Sequence, residues 1–290
     1  MKKGIILGIL AATLWGISGT LGQFLFEEKE INVEWLITIR LLISGICLLL
    51  FAKYRKNDLF KIWTNKKDSV QLIVFSIVGM LGVQYTYFAA IKHSNAATAT
   101  VLQFIGPILI AIYLAIKYKT LPKKIEILAI VLAVLGTFLL VTHGKLNSLS
   151  ISPLALFLGL ASAVTLAIYS LQAKELLIKY NSTAIVGWAM LIGGIVFSFV
   201  KAPWQIEGKW DLESLLSIIF IVFLATLVAF YSYLTATKII GPQKASLVAS
   251  VEPLVAVVLS VTWLNIPFQI IDWIGSLCIV STIFLLSRSK

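Results

Sequence analysis

Long apolar blocks alternate with short polar gaps along the whole chain. Ten blocks can be drawn, at 4–25, 33–52, 69–91, 96–116, 124–142, 153–173, 183–202, 213–237, 243–264 and 268–287. A helix rising 1.5 Å per residue crosses a bilayer core in about 20 apolar residues. The ~10-residue alternation of an outer-membrane barrel strand is missing. The pattern therefore predicts an all-α integral membrane fold of ten transmembrane helices. Lys92-His93-Ser94-Asn95 separates the third block from the fourth, and Gly241-Pro242 breaks the eighth from the ninth. The first block follows Met1-Lys2-Lys3 and reaches Leu25. That is too long for a signal-peptide core and no small-x-small cleavage site follows, so an uncleaved first helix is expected.

Composition agrees: 59% of the 290 residues are hydrophobic and 13% are charged, against about 25% charged in soluble domains. The net charge of +11 would suit a nucleic-acid partner, but the lysines sit in the gaps, where they act as a topology signal. Alternate gaps starting from the N-terminus hold 18 Lys and Arg, and the opposite gaps hold 5. The positive-inside rule then puts both termini in the cytoplasm of a multi-pass membrane protein, with the lipid bilayer as partner and no nucleic acid. Trp35, Trp204, Trp210 and Trp263 fall at outer block ends, as an interfacial belt would. Lys53 to Asp68 reads as a solvated cytoplasmic connection. Cys47 and Cys278 lie within apolar blocks and read as core filler rather than a disulfide.

The chain matches itself at an offset of 146 residues. Tyr85, Tyr87, Ala90, Lys92, Ala99 and Pro107 meet Tyr231, Tyr233, Ala236, Lys238, Ala245 and Pro253, and 11 identities fall in 56 ungapped positions. Two units follow, 1–145 and 146–290, each of five helices. Because five is odd, the second unit enters the membrane from the opposite side. This is the inverted-repeat architecture of secondary transporters.

Leu14-Trp15-Gly16 in the first helix, Arg40 in the second and the five-plus-five duplication resemble the drug/metabolite transporter superfamily. Glu252-Pro253 in the ninth helix is similar to its EamA branch in particular. The resemblance covers nearly the whole chain. It implies an inner-membrane carrier of small metabolites, often an exporter of amino acids or related solutes. It also implies a path lined by the first, third, fourth, sixth, eighth and ninth helices. Lys119 and Asn265 stand where EamA-like halves often carry a membrane-edge glutamate.

Glu252 alone among the 13 acidic residues falls near the middle of a membrane-length block. An ionisable group at that depth costs several kcal/mol and is read as functional. It can bind a substrate ammonium, take up a coupling proton or pair with Arg40. Arg40 is read as a structural or pairing residue. Pro107 and Pro253 are equivalent under the repeat and predict two helix bends flanking the site, since each removes a backbone donor. Trp15, Tyr85, Tyr169 and Tyr231 are the expected aromatic wall. Tyr85 and Tyr87 lie near 200° apart on a helix, so one of them faces the path, and Tyr85 is chosen for its neighbour Gln84. Gln103, Ser246 and Ser250 precede the prolines by one or two turns and complete the expected substrate-binding set. A small-residue stripe, Gly4, Gly8, Ala12, Gly16 and Thr20, suits helix packing.

No HExxH, GxSxG, Walker A or Cys/His cluster is present, so no enzyme, cofactor or metal is expected. His93 and His143 read as isolated surface residues. The expected partner is a small organic substrate such as an amino acid or amine, with a proton as a candidate coupling ion, carried by a monomer or homodimer. The competing readings are an importer of a cationic or nucleoside-like solute, and a non-transporting structural or lipid-handling membrane protein.

Overall fold

The computed structural model describes residues 1–119, 123–145, 150–241, 245 and 248–288. Among them there is no strand. The helices are α1 (Lys2–Glu27), α2 (Val33–Tyr54), α3 (Lys66–His93), α4 (Ala96–Tyr118), α5 (Lys124–Thr142), α6 (Pro153–Lys179), α7 (Ser182–Phe197), α8 (Leu212–Ile240), α9 (Val251–Thr262) and α10 (Ile270–Arg288). Side-chain oxygens start several of them by accepting otherwise unpaired amides. Asn32 accepts from the Trp35 N–H at 2.9 Å, Asn95 from Thr98 at 2.8 Å, Asn181 from Ala184 at 3.1 Å and Asp211 from Ser214 at 2.9 Å.

Among the described residues seven helices, α1 to α6 and α8, are long and apolar enough to cross a membrane, where the sequence pattern predicts ten. α7, α9 and the Ile270–Leu285 part of α10 are apolar but shorter. α7 stops because Ser198 and Lys201 turn back onto the Gly194 and Phe197 carbonyls. α9 begins only after a turn at Ser250.

Breaks and widened turns recur at the sequence offset of 146. α3 widens into a π-helical stretch at Phe75–Leu81, and α8 does so at Phe220–Val228. α4 is interrupted at Phe104 and Ile105, the counterparts of Ser250 and Val251. Lys119 and Asn265 both take left-handed backbone, each with φ 52°. The Lys123 N–H donates to Glu126 and the Gln269 N–H to Asp272, both at 2.8 Å.

α2 packs antiparallel on α7, and α5 on α10. Along the α2–α7 seam, Leu42 meets Gly194, Gly45 meets Leu191 and Leu49 meets Gly187. A methyl on Gly45 would come within 2.5 Å of the Leu191 backbone nitrogen, so only glycine admits this approach. α5 and α10 cross at Gly136 and Gly275, each facing the other's carbonyl. His143 Nδ1 and Asp272 Oδ1 bridge that pair at 2.5 Å, so His143 is not an isolated surface residue. The small-residue stripe of α1 packs as expected: Gly4 faces Ile239 and Ile240, Gly8 faces Val248, and Gly16 faces Val255.

Two further expectations are corrected. Trp35 is buried among the helices rather than in a surface belt, because its indole finds a hydrogen-bond acceptor there, whereas Trp204 is 80% exposed. The Lys53–Asp68 connection is also partly buried. Ile62 packs inside, and Asp68 accepts from Lys179 at 3.0 Å and from the Tyr180 hydroxyl at 2.7 Å.

Candidate functional site

α1 and the first part of α4 pack against α9 beyond its break. Glu252 occupies the first turn of α9, with its backbone carbonyl against Gly16 of α1. A methyl on Gly16 would lie 2.8 Å from that carbonyl oxygen, so the glycine sets how closely α1 approaches. Pro253 is buried behind the Ser250 turn. Pro107 starts the second part of α4, just after the Phe104–Ile105 interruption. A proline is tolerated near a helix start, where its missing N–H leaves nothing unpaired. The helical pattern is interrupted upstream of each proline.

Several aromatic rings pack between these helices. Trp15 of α1 packs on Tyr233 and Phe230 of α8, each at 5.3 Å between ring centroids. Tyr169 of α6 packs on Phe75 of α3 at 5.2 Å. The Tyr87 hydroxyl is 2.8 Å from Thr100 Oγ1 of α4 and lies over Gly19 of α1. Of the two Tyr-x-Tyr pairs, Tyr87 is buried and Tyr233 packs on Trp15. Tyr85 packs on Phe197 at 5.4 Å, and Tyr231 is 44% exposed against Phe51.

Arg40 is 4% exposed. Its Nε donates to Thr226 Oγ1 at 2.8 Å, and its guanidinium lies 5.1 Å from the centroid of the Phe88 ring. Among the described residues no ion pair joins it to Glu252. Along α1, Gly16 faces Glu252 and Gly22 faces Phe88.

Gln84, Gln103 and Ser250 are buried, while Trp15, Tyr169 and Glu252 are half-buried. Ser246 lies outside the described residues. Residues that the sequence reading passed over are Tyr87, Tyr233, Thr100 and Thr226. The Tyr-x-Tyr repeat was the available signal for the first two. Cys47 and Cys278 are free and half-buried. Among the described residues there is no group of three or more His, Cys, Asp and Glu able to hold a metal ion.

The profile of the EamA-like transporter family matches residues 2–142 and 153–288. An uncharacterized inner membrane transporter of Salmonella typhimurium, YicL, is 39% identical over 286 residues, covering 99% of this chain and 95% of that protein. An uncharacterized transporter of Bacillus subtilis, YyaM, is 23% identical over 274 residues, covering 90% and 84%. A solved crystal structure superposes with a TM-score of 0.67 at 16% identity, covering 98% of this chain and 96% of the other. At that identity it supports the fold alone. With a profile match along nearly its whole length, the chain belongs to the EamA-like transporter family and is a multi-pass membrane transporter.

Proposed function

We propose that this transporter is a secondary carrier exporting small organic metabolites such as amino acids or amines across the inner membrane. It works by alternating access between two inverted five-helix halves, 1–145 and 146–290. The recurrence of π-turns, helix breaks and caps at one offset supports the duplication. The antiparallel packing of α2 on α7 and of α5 on α10 supports the inversion, since inverted copies run their corresponding helices in opposite directions. Ten crossings, with both termini cytoplasmic, then follow from the lysine and arginine distribution.

The observation that carries the reading is Glu252 at the break before α9, its backbone carbonyl against Gly16 and next to the α1 residue Trp15, which packs on Tyr233 and Phe230. A carboxylate with aromatic faces suits an ammonium group, by charge and by cation–π attraction. Arg40, held back by Thr226 and Phe88, offers the complementary charge for a substrate carboxylate. Export is the direction implied by the resemblance of the Glu252-Pro253 segment.

Proteoliposomes loaded with a panel of labelled amino acids and amines test this reading. Protein-dependent efflux of at least one member is expected. Glu252→Gln should reduce that efflux by about tenfold or more, the loss of one buried charge contact. A panel that shows no protein-dependent flux at any pH gradient would contradict it.

A further inference from the structure

We propose that α2 and α7 form a fixed axle held at both ends by matched tryptophan clasps, so that the path opens between the other helices. This rests on the alternating-access reading above. At one end, Trp35 of α2 donates its indole N–H to the Pro203 carbonyl at 2.8 Å and meets Trp210 edge-on at 5.2 Å and 90°. Pro203 and Trp210 both lie in the connection after α7. At the other end, Trp188 of α7 donates to the Leu59 carbonyl at 2.9 Å and meets Trp63 edge-on at 5.3 Å and 86°. Leu59 and Trp63 both lie in the connection after α2.

Each clasp has the same three parts. An indole on the second helix of one half meets a carbonyl and a second indole in the connection that follows the second helix of the other half. Edge-to-face rings and a buried indole with its donor satisfied both favour one fixed geometry. Between the clasps the helices touch through Gly45, Gly187 and Gly194, too closely for any side chain to slip between them. The first end carries more cross-links. Thr38 Oγ1 donates to the Lys201 carbonyl at 3.1 Å, the Lys209 N–H donates to the Lys29 carbonyl at 2.7 Å, and Lys29 pairs with Asp211 and Glu213, each at 2.6 Å.

A gate closes on one face while the opposite face is open. Here both clasps are closed together, at the two ends of one tightly packed pair. Opening either alone would splay the glycine seam. The clasps therefore fit a part that stays fixed through the cycle. The moving parts are then to be found among the helices outside this pair, with the α1–α9 contact at Gly16 and Val255 as the first candidate.

Site access measured on a crosslinked axle tests this. In a Cys47→Ala/Cys278→Ala background, Ser250→Cys supplies a reporter thiol, and Leu48→Cys/Gly187→Cys crosslinks the pair. A methyl built on Gly187 lies 3.2 Å from Leu48 Cβ, near the ~3.8 Å that a disulfide spans. A membrane-impermeant maleimide is applied to vesicles of each orientation. With the axle crosslinked, the reporter should be labelled from both faces at rates within about twofold of the reduced protein. Loss of labelling from either face, restored by reductant, would overturn the proposal. Leu42→Cys/Gly194→Cys crosslinks the same seam and should behave alike, which guards against a folding defect in one variant. Gly16→Cys/Val255→Cys, joining α1 to α9, should stop labelling from at least one face; unchanged labelling there would overturn the division into axle and moving parts. Labelling from one face alone in the reduced protein would overturn alternating access, and this proposal with it.

Discussion

Arg40 and Thr226 are joined by a single hydrogen bond, Nε to Oγ1 at 2.8 Å, while Thr226 Oγ1 donates to the Ile221 carbonyl at 2.8 Å. Ile221 lies five residues back, inside the π-helical stretch of α8. The widened turn leaves that carbonyl without its ordinary i+4 amide partner. One threonine therefore satisfies both the wide turn and a buried arginine. Ser44 of α2 supports the same stretch by donating to the Val222 carbonyl at 3.0 Å.

Thr226→Val keeps the shape of the side chain and removes both bonds. It should destabilise the protein by about 2 kcal/mol, the cost of a lost hydrogen bond to a charged buried group. Ser44→Ala should cost about 1 kcal/mol, since only a neutral bond is lost. Thermal unfolding of the detergent-solubilised variants, compared side by side, checks the order.

Gly136→Val should be worse than a typical surface change in α5. Its Cβ would stand 2.6 Å from the Gly275 carbonyl oxygen and 2.8 Å from Ile279 Cγ1, so α5 and α10 must separate. Overpacking of this kind costs about 1–3 kcal/mol. Val134→Ala, on the exposed face of the same helix, should leave the unfolding temperature nearly unchanged.

Asp211 predicts a flat pH response with a clear salt response. The Lys29 ammonium, and then the Ser214 amide, hold its carboxyl down at about 2. Its contribution is thus present above the ordinary carboxylate range and is lost as pH falls through about 2. Lys29 is raised above 10.5, first by Asp211 and then by Glu213, so its contribution is present below 10.5 and is lost only as pH rises through the raised value. Between pH 5 and 8 both charges persist. Asp211→Asn keeps the cap on Ser214 but removes the ion pair. It should lower the unfolding temperature equally at pH 5 and pH 8, and the difference should shrink in high salt. A pH-dependent difference in that range would contradict the assignment.

Asp272 has two tasks, pairing with His143 at 2.5 Å and capping α10 at the Gln269 amide at 2.8 Å. His143→Ala removes the first and Asp272→Ala removes both. Asp272→Ala should therefore cost about 1 kcal/mol more, the usual value of a cap. Unfolding of the two single variants and the double variant separates the contributions.

Helix positions are readable from apolar block length. The π-helical stretches are not, because Phe75–Leu81 is as apolar as the helix around it. Gln84 favours Tyr85 as the polar-lined choice, whereas the buried hydroxyl is that of Tyr87, whose partner Thr100 lies on the next helix and leaves no mark in the local pattern. Glu252 and both prolines stood out because a charge and a missing donor are costly inside a membrane. Trp35 did not, since its acceptor Pro203 lies 168 residues away, and an indole near a block end suits a surface belt equally well.

The inversion of the two halves is tested most directly by Lys119 and Asn265, equivalent by the 146-residue offset, alike in left-handed backbone and both exposed. Lys119→Cys and Asn265→Cys, each in a background without Cys47 and Cys278, are treated with an impermeant maleimide in vesicles of known orientation. Position 119 should be labelled only from the cytoplasmic face and position 265 only from the opposite face. Labelling of both positions from the same face would contradict the inverted arrangement.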